Sequence, residues 1–568
     1  MDATQKDVIV LGIHDGHEAS AALVKNGRVL AALAEERLTN VKNHYGTPFK
    51  AIRKVFEISK VEPAQVDVIA IASLIKLRKL LVEQETRLNL HIKFATLVHG
   101  HIFSRLFTNI LHRFRDMAEL NRLFVELGLD RTETVFIEHH RAHAACAYYP
   151  RPWDDETLVL TLDGAGDYLS ATVNIGQGLD MERIASTVSY DSLANNLYSE
   201  ITGYFGLKRW EHEYKVMGLA PYGRPEHCIQ AMRRIVRIHP RKPLEFQNIS
   251  GAYTLGVQKR LTQELAQQRF DNIAAACQQH FEDLVTQWVR NCVRKTGIRK
   301  VACAGGAFLN VKANKLVRET EEVEDAFFYP ACGDTGLAVG AALEAYYRLC
   351  EKKGTKTERH ALADLYYGAE YDDGLLEQAL ASAGWKEKAR YCQDIEAEVA
   401  EALARGKVIA RFKGRDELGP RALGNRSILA DPRDLKVIRK INFAIKHRDF
   451  WMPFAPSILE NRMHDYLVHG RPARYMVEAF DTTEKGEQLI AALHPFDLTA
   501  RPQTVNEWNP SYEHLLSAFQ SLTGVGGVLN TSFNLHGYPI VGTPETALWT
   551  LEQSGLDGLA LGNWMVSK

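Results

Sequence analysis

Leu158-Val159-Leu160-Thr161-Leu162-Asp163-Gly164-Ala165-Gly166-Asp167-Tyr168-Leu169, continued to Ile175, reads as a strand, an acidic glycine turn and a returning strand. The apolar run over 158–162 suits a buried strand, and Asp and Gly are the residues that turns select. An earlier stretch has the same grammar. Residues 7–13 read as a buried strand, followed by Ser20 to Lys25 and Arg28 to Leu33 on either side of Asn26-Gly27. Asn-Gly between two apolar runs is a strong hairpin signal. Two such units, far apart, predict a duplicated α/β domain with a cleft between its halves. Two unrelated hairpins would give the same pattern, and pattern alone leaves that choice open.

Working outward, Lys76 to Leu127 is helix-like, basic and rich in Leu and Phe, which predicts a helical insertion. Residues 273–296 read as a long helix, Val301 to Ala304 as a strand, Gly305-Gly306 as the opening of a helix, Phe327 to Tyr329 as a strand and Asp334 to Leu349 as a helix. Residues 351–360 are polar and charged, the composition of a linker. The pattern then restarts, with helices near 373–383 and 394–405, a strand at Lys407 to Phe412 and mixed α/β to the end. The expected domains are therefore 1–355 and 371–568, joined by a linker at 356–370.

A chain of 568 residues is too long for one core. Apolar residues make up 46%, charged residues 24%, and the formal net charge is −1. That balance argues against a broad nucleic-acid or membrane surface. The first residues lack a basic stretch followed by an apolar run, so no signal peptide is expected. No apolar run reaches the roughly 20 residues of a membrane-spanning helix. Eight cysteines occur without a Cys-x-x-Cys pair, which suits reduced thiols and a cytoplasmic location.

His139-His140-Arg141-Ala142-His143 opens a predicted helix, which puts His139 and His143 on one face. Imidazoles at that spacing ligate borderline metals. The Glu of a His-Glu-x-x-His protease helix is missing, so peptide hydrolysis is disfavoured. Asp163 at a strand end and Asp334 at a helix start are candidates to complete the sphere; a helix with surface histidines is the alternative. The glycines of Gly305-Gly306-Ala307-Phe308-Leu309-Asn310 allow a phosphate or nucleotide edge to approach, or simply make a tight turn. In the polar turn His14 to Ser20, His17 is a candidate general base with Glu18 orienting it, and a solvated hairpin is the alternative. Glu211, Glu213 and Lys215 precede a Gly-rich apolar run, Val216 to Gly223, that reads as a cleft-lining loop.

The C-terminal part is richer in cations. Gly414-Arg415-Asp416-Glu417-Leu418-Gly419-Pro420-Arg421-Ala422-Leu423-Gly424-Asn425-Arg426-Ser427 is too Gly-rich for a helix, and its arginines suit phosphate oxygens. Lys446-His447-Arg448 and Ser532-Phe533-Asn534 each pair polar groups two residues apart, which on a strand share one face. Together with Arg501 these residues predict an anion site for a triphosphate and a second phosphate compound.

On these residues the chain resembles the NodU/CmcH-type O-carbamoyltransferase family. The likeness runs nearly end to end, through Glu35-Glu36-Arg37, His139 to Ala144, Asp163-Gly164, Lys215 to Gly223, Gly305 to Asn310, Gly333-Asp334, Gly419 to Ser427, Arg501 to Val505 and Leu529 to Asn534. The resemblance implies an N-terminal duplicated actin-like ATPase (ribonuclease H-like) domain, similar to tRNA threonylcarbamoyltransferases, and a C-terminal YrdC-like domain. It implies that carbamoyl phosphate and ATP form carbamoyl adenylate in the second domain. Arg415, Arg421, Asn425, Arg426, Ser427, Lys446, Arg448, Arg501, Asn530, Thr531, Ser532 and Asn534 would line that site. Mg2+ alongside ATP is compatible with it.

The adenylate then serves the first domain, where Gly164, Gly305, Gly306 and Asn310 would bind it. His139, His143, Asp163 and Asp334 would hold a divalent metal there, iron in the family. His17, Glu18, Glu211 and Lys215 would serve carbamoyl transfer to a hydroxyl of a small-molecule natural product, such as an antibiotic or a sugar. Two positions depart from the family pattern: Glu18 follows His17 where an Asp is common, and Glu211 stands where an Asp is expected. A tRNA threonylcarbamoylation enzyme is the alternative, disfavoured by the near-neutral charge. A non-enzymatic actin-like binding module would not need the second anion site. The 76–130 segment carries no matching motif and is a candidate to shape acceptor choice. Oligomeric state is not readable from the chain.

Overall fold

The computed structural model describes residues 7–75, 117–355, 357–446 and 448–568. The chain divides into two units, Met1–Ala32 with Tyr45–Leu362, and Leu33–His44 with Ala363–Lys568.

The first unit rests on two five-stranded sheets. Strands β1 (Ile9–His14), β2 (Ser20–Lys25), β3 (Arg28–Ala34), β4 (Val68–Ala72) and β5 (Glu133–Ile137) stand in the order β3-β2-β1-β4-β5. β1 runs antiparallel to β2 and parallel to β4, and β4 is parallel to β5. Next come β6 (Thr157–Gly166), β7 (Leu169–Gln177), β8 (Asp180–Val188), a separate hairpin of β9 (Val236–His239) and β10 (Lys242–Asn248), then β11 (Lys300–Ala304) and β12 (Asp325–Phe328). The second large sheet has the order β12-β11-β6-β7-β8. With β6 in the place of β1, every strand falls where its counterpart does, and the antiparallel first pair and parallel later strands recur. The two hairpins of the sequence thus belong to one repeated α/β layer, not to unrelated motifs.

β1 is buried throughout, as is β6 up to Leu162. Strands with parallel neighbours are covered on both faces, so their apolar runs are continuous. The helix Leu337–Lys353 packs on β1, β2 and β4 and on the helix His139–Tyr148. Gly340 permits that last contact: a Cβ there would overlap the Ala142 carbonyl oxygen and crowd the Cys146 nitrogen. The close approach brings the histidine helix beside Asp334, in the 3₁₀ turn Asp334–Gly336 that leads into Leu337–Lys353. Of the expected helical insertion, residues 76–116 lie outside the described residues, and Ala118–Leu127 is a helix.

The second unit is an eight-stranded mixed sheet. Its strands are β13 (Ala389–Tyr391), β14 (Ile409–Phe412), β15 (Arg426–Ala430), β16 (Ala455–Leu459), β17 (Gln503–Val505), β18 (Gly527–Ser532), β19 (Gly558–Leu561) and β20 (Trp564–Ser567). Their order is β13-β20-β19-β14-β15-β18-β16-β17. Side chains alternate between two cores, as the two-residue strand period demands. Ala410, Phe412, Ile428 and Ala430 meet Leu376, Leu380, Leu548 and Leu551. Ile409 and Leu429 meet Val399, Leu403, Leu515 and Phe519.

One local expectation is corrected. Lys446 is not on a strand: the helix Lys436–Ile441 continues into a π-helical turn, Asn442–Lys446. Ile441 and Ile445, four residues apart and both fully buried, hold the turn to the core, and that is a helical spacing. His447 lies outside the described residues. Among the described residues no helix is long and apolar enough to cross a membrane.

Candidate active sites

The first site is assembled from four segments. Glu138 caps the helix His139–Tyr148, its carboxylate accepting from the His140 and Arg141 amides at 3.0 and 2.9 Å. Burial pushes Glu138 up, but the Arg183 charge and the His140 contact outweigh it and hold the carboxyl at about 2. From this helix the His139 and His143 Nε2 atoms face each other at 3.1 Å. Asp163 Oδ2 lies 3.3 and 3.6 Å from them, and Asp334 Oδ1 lies 3.7 and 3.5 Å away. One donor atom from each of the four residues falls within 4.8 Å of the others.

Burial works against charging His143, but Asp163 and Asp334 together lift it to about 9. Asp163 is held well below the usual carboxylate range: burial opposes this, and contact with the two imidazoles prevails. Two nitrogens facing each other need a proton or a cation between them, and with two carboxylates they make a donor set that fits a divalent cation.

Residues that the sequence did not single out frame this cluster. Ser73 Oγ lies 3.0 Å from His139 Nδ1, an outer contact of the kind that fixes a ligating imidazole. Asp167 accepts from the amides of His139, Leu74 and Ile75 at 2.8, 2.8 and 3.0 Å, which ties the helix start to the loop after β4. The signal for Asp167 was present, since it closes the acidic glycine turn. The Gly306 amide donates to Asp163 Oδ1 at 3.1 Å, so Gly305-Gly306 supports the cluster directly. Gly164 accepts from Ser192 Oγ at 2.8 Å and lies against Asn195. Asn310 shares its amide with Gln278 and caps the helix Val311–Arg318, so its side chain is taken up by the fold.

His14, also overlooked, is buried and pushed down to about 4, chiefly by desolvation. Neutral at ordinary pH, its Nε2–H donates to the His17 carbonyl at 2.9 Å, and Nε2 lies 3.8 Å from Asp334. His17 itself is half-buried at the turn. Glu18 Oε2 accepts from the Thr335 amide and hydroxyl at 3.2 and 3.0 Å. It therefore pins the turn that carries Asp334. Glu211 is ion-paired with Lys208. Glu213 accepts from the Trp210 amide at 2.6 Å and Ser199 Oγ at 3.0 Å. Burial raises its pKa, and the His17 charge acts on it. Lys215 is half-buried two residues further along the same helix, Glu213–Leu219.

The second site lies in the second unit. Lys446, almost fully buried, donates to Asn534 Oδ1 at 2.5 Å, to the Asn534 carbonyl at 2.9 Å, and to the Ser532 carbonyl and hydroxyl. Ser532 Oγ donates to Asn534 Oδ1 at 2.7 Å. The ammonium is thus surrounded by neutral oxygens. Burial, with the like charges of Arg448 and Lys42, drives its pKa well below the usual lysine value. Arg501 is depressed in the same way, by burial and then by Arg421 and Arg448. Its Nη1 is buried without a hydrogen-bond partner among the described residues. Arg448 thus acts on both Lys446 and Arg501, and Arg421 acts on Arg501, which links four cations here.

Other expected anion ligands prove to be part of the framework. Arg426 is fully buried over the Phe412 ring, its guanidinium turned to the carbonyls of Gly414, Asn425 and Ala369 at 3.0, 3.0 and 2.9 Å. Phosphate contact would require unmaking those bonds. Asn425 joins Arg411, Asn509 and the Arg415 carbonyl. Ser427 Oγ accepts from the Gly424 amide at 3.0 Å. Arg415 donates to the Tyr367 and Gly368 carbonyls at 2.7 and 3.2 Å. Asn530 donates to Ser457 Oγ at 2.9 Å, and its Oδ1 is buried without a partner among the described residues; Thr531 is the next residue of β18.

A family model described as "Carbamoyltransferase N-terminus" matches residues 9–343, and "Carbamoyltransferase C-terminus" matches 400–568. Nodulation protein NolNO of Sinorhizobium fredii is 31% identical over 97% of this chain and 79% of its own length. An uncharacterized Synechocystis protein is 31% identical over 97% of this chain and 95% of its own. Among solved structures, full-length HypF has 14% identity and a TM-score of 0.32, over 61% of this chain and 56% of its own. With both family models matched in order and relatives aligned nearly end to end, the chain belongs to the carbamoyltransferase family and is a carbamoyltransferase enzyme.

Proposed function

We propose that the chain is an ATP-dependent O-carbamoyltransferase working in two stages. In the second unit, which we read as YrdC-like, carbamoyl phosphate is hydrolysed to carbamate and phosphate. The carbamate oxygen then attacks the α-phosphorus of ATP, forming carbamoyl adenylate and releasing pyrophosphate. In the first unit, read as an actin-like ATPase domain from its repeated sheet, an acceptor hydroxyl oxygen attacks the carbamoyl carbon. AMP leaves with the C–O bond electrons, and the hydroxyl proton passes to a base.

The observation that carries this reading is the cation cluster of the second unit. Burial first, then neighbouring positive charge, disfavours two of its charged forms: Arg448 acts on Lys446, and Arg421 and Arg448 act on Arg501. Such an arrangement lowers in energy when a polyanion enters, and it matches the charge of ATP with a carbamoyl compound. Mg2+ bound with ATP is compatible with it. Asn534 and Ser532 fix the ammonium at the wall of the site.

In the first unit His139, His143, Asp163 and Asp334 would hold a divalent metal, with iron as the family expectation. When bound, such a metal supplies a Lewis acid for a phosphate or carbonyl oxygen. His14 orients the turn that presents His17, through its bond to the His17 carbonyl. His17 is our choice of base for the hydroxyl proton, and Glu213 is the carboxylate that senses its charge. The acceptor is a hydroxylated small molecule, and the site of action is expected to be the cytoplasm. Incubating the protein with ATP and carbamoyl phosphate, then measuring pyrophosphate and seeking carbamoyl adenylate by mass spectrometry, tests the reading. Absence of both products would overturn it.

A further inference from the structure

The Glu35-Glu36-Arg37 stretch has no part in either set of groups described above, yet Arg37 is buried, 3% exposed. Its segment, Leu33–His44, belongs to the second unit although it lies more than 300 residues from the rest of that unit in sequence. Arg37 Nη2 donates to the Gly419 carbonyl at 2.7 Å and to the Glu417 carbonyl at 3.4 Å, and Nη1 lies 3.7 Å from Asp416. Gly419 has φ of 103°, a left-handed conformation that glycine tolerates and that the loop needs at this point. The Arg37 carbonyl in turn abuts Gly542, where any Cβ would overlap it. The segment is clamped from both sides.

The loop that Arg37 grips is the one that carries Arg421. Glu417 closes it from within, its Oε1 accepting from the amides of Leu423, Asn425 and Arg426 at 2.8, 2.8 and 3.1 Å. Arg421 therefore lies in a loop held on one side by the Arg37 guanidinium, at Glu417 and Gly419, and on the other by the Glu417 carboxylate, at Leu423, Asn425 and Arg426. The same segment brings Lys42, whose charge acts on Lys446. A guanidinium reaching two backbone carbonyls and a carboxylate is a directional clamp that a lysine cannot reproduce.

We propose that Arg37 is a positioning residue for the anion site of the second unit, holding the 416–425 loop so that Arg421 stands beside Arg501. This rests on the anion-site reading given above. It gives the Glu-Glu-Arg stretch, close to the start of the chain, a task in a site otherwise built from residues beyond 363.

A double-mutant cycle in the full-length protein tests it, with inorganic phosphate and ATP as probes in calorimetric titrations. Arg37→Met and Arg421→Ala should each weaken binding by about tenfold or more, and the double variant should bind no worse than Arg421→Ala alone, because Arg37 acts through Arg421. Arg37→Lys should fall between wild type and Arg37→Met. Should Arg37→Met fail to fold, as judged by thermal unfolding, Arg37→Lys enters the same cycle in its place. Unchanged binding in the Arg37 variants, or losses that multiply in the double variant, would overturn the proposal while leaving the anion site standing. Unchanged binding in Arg421→Ala would instead remove the anion-site reading, and this inference with it.

Discussion

The Nε2 atoms of His139 and His143 lie 3.1 Å apart, with Asp163 and Asp334 both within 3.7 Å of each. In the metal-free protein the two carboxylates, working against burial, keep His143 protonated up to about pH 9. A divalent cation competes for the same lone pairs, so its binding should release at least one proton near pH 7. Affinity should rise with pH until about 9. The linkage for stability has the opposite sign. With His143 raised above its unfolded value, its contribution is full below about pH 6.5 and is lost as pH rises through about 9. Calorimetry in buffers of different ionisation enthalpy measures the proton count, and a count of zero would refute the cluster's assignment as a metal site.

Lys446 gives a second pH signature. Burial first, then Arg448 and Lys42, lower its pKa. An anion bound beside it favours the charged form, so phosphate or ATP binding should take up protons and weaken as pH rises. Lys446→Ala or Arg421→Ala should abolish adenylate formation, a loss of at least about 10²-fold in pyrophosphate release. Pyrophosphate assays between pH 6 and 9, values chosen to bracket neutrality, would check both trends.

Gly340 tests the packing that builds the first site. Gly340→Ala would drive a methyl into the Ala142 carbonyl. Overpacking of this kind costs about 1–3 kcal/mol. Because it pushes the His139–Tyr148 helix away from Leu337–Lys353, it should also weaken metal binding. Thermal unfolding and metal titration report the two effects separately, and an unperturbed metal affinity would show that the helix approach does not set the cluster.

Glu213 and Glu211 should separate by function. Glu213 sits under the influence of His17, whereas Glu211 pairs with Lys208. Glu213→Gln should slow carbamoyl transfer by about 10²-fold with pyrophosphate release retained, and Glu211→Gln should be far milder. Single-turnover transfer assays on pre-formed adenylate would decide. Equal losses in both variants would contradict this separation.

Much of the repeated sheet was legible because its signals are local. The strand pairs around Asn26-Gly27 and around Asp163 to Asp167 announce themselves by apolar runs broken at turn residues, and both sit in sheets of one strand order. Three of the four candidate metal ligands were legible because helix spacing couples His139 to His143 and because Asp334 opens an element; Asp163 was expected at a strand end, but β6 runs on past it to Gly166. What the sequence hid depends on distance. Ser73 meets His139 across 66 positions, and Arg37 meets Gly419 across 382, with no local pattern to announce either. The Lys446 turn was misread because two polar groups two residues apart suggest a strand, while the decisive spacing was apolar, Ile441 to Ile445. Arg426 looked like a phosphate ligand by residue type, yet its carbonyl partners come from the 369 and 413–425 segments, which only the fold brings together.

The most direct test of the whole account compares His139→Ala with Lys446→Ala in one assay that follows pyrophosphate release and carbamate ester formation together. The account predicts that His139→Ala releases pyrophosphate at close to the wild-type rate but carbamoylates no hydroxyl, and that Lys446→Ala does neither until supplied with carbamoyl adenylate, which restores transfer. Equal loss of both activities in His139→Ala, with its fold intact, would contradict the division of labour between the two units.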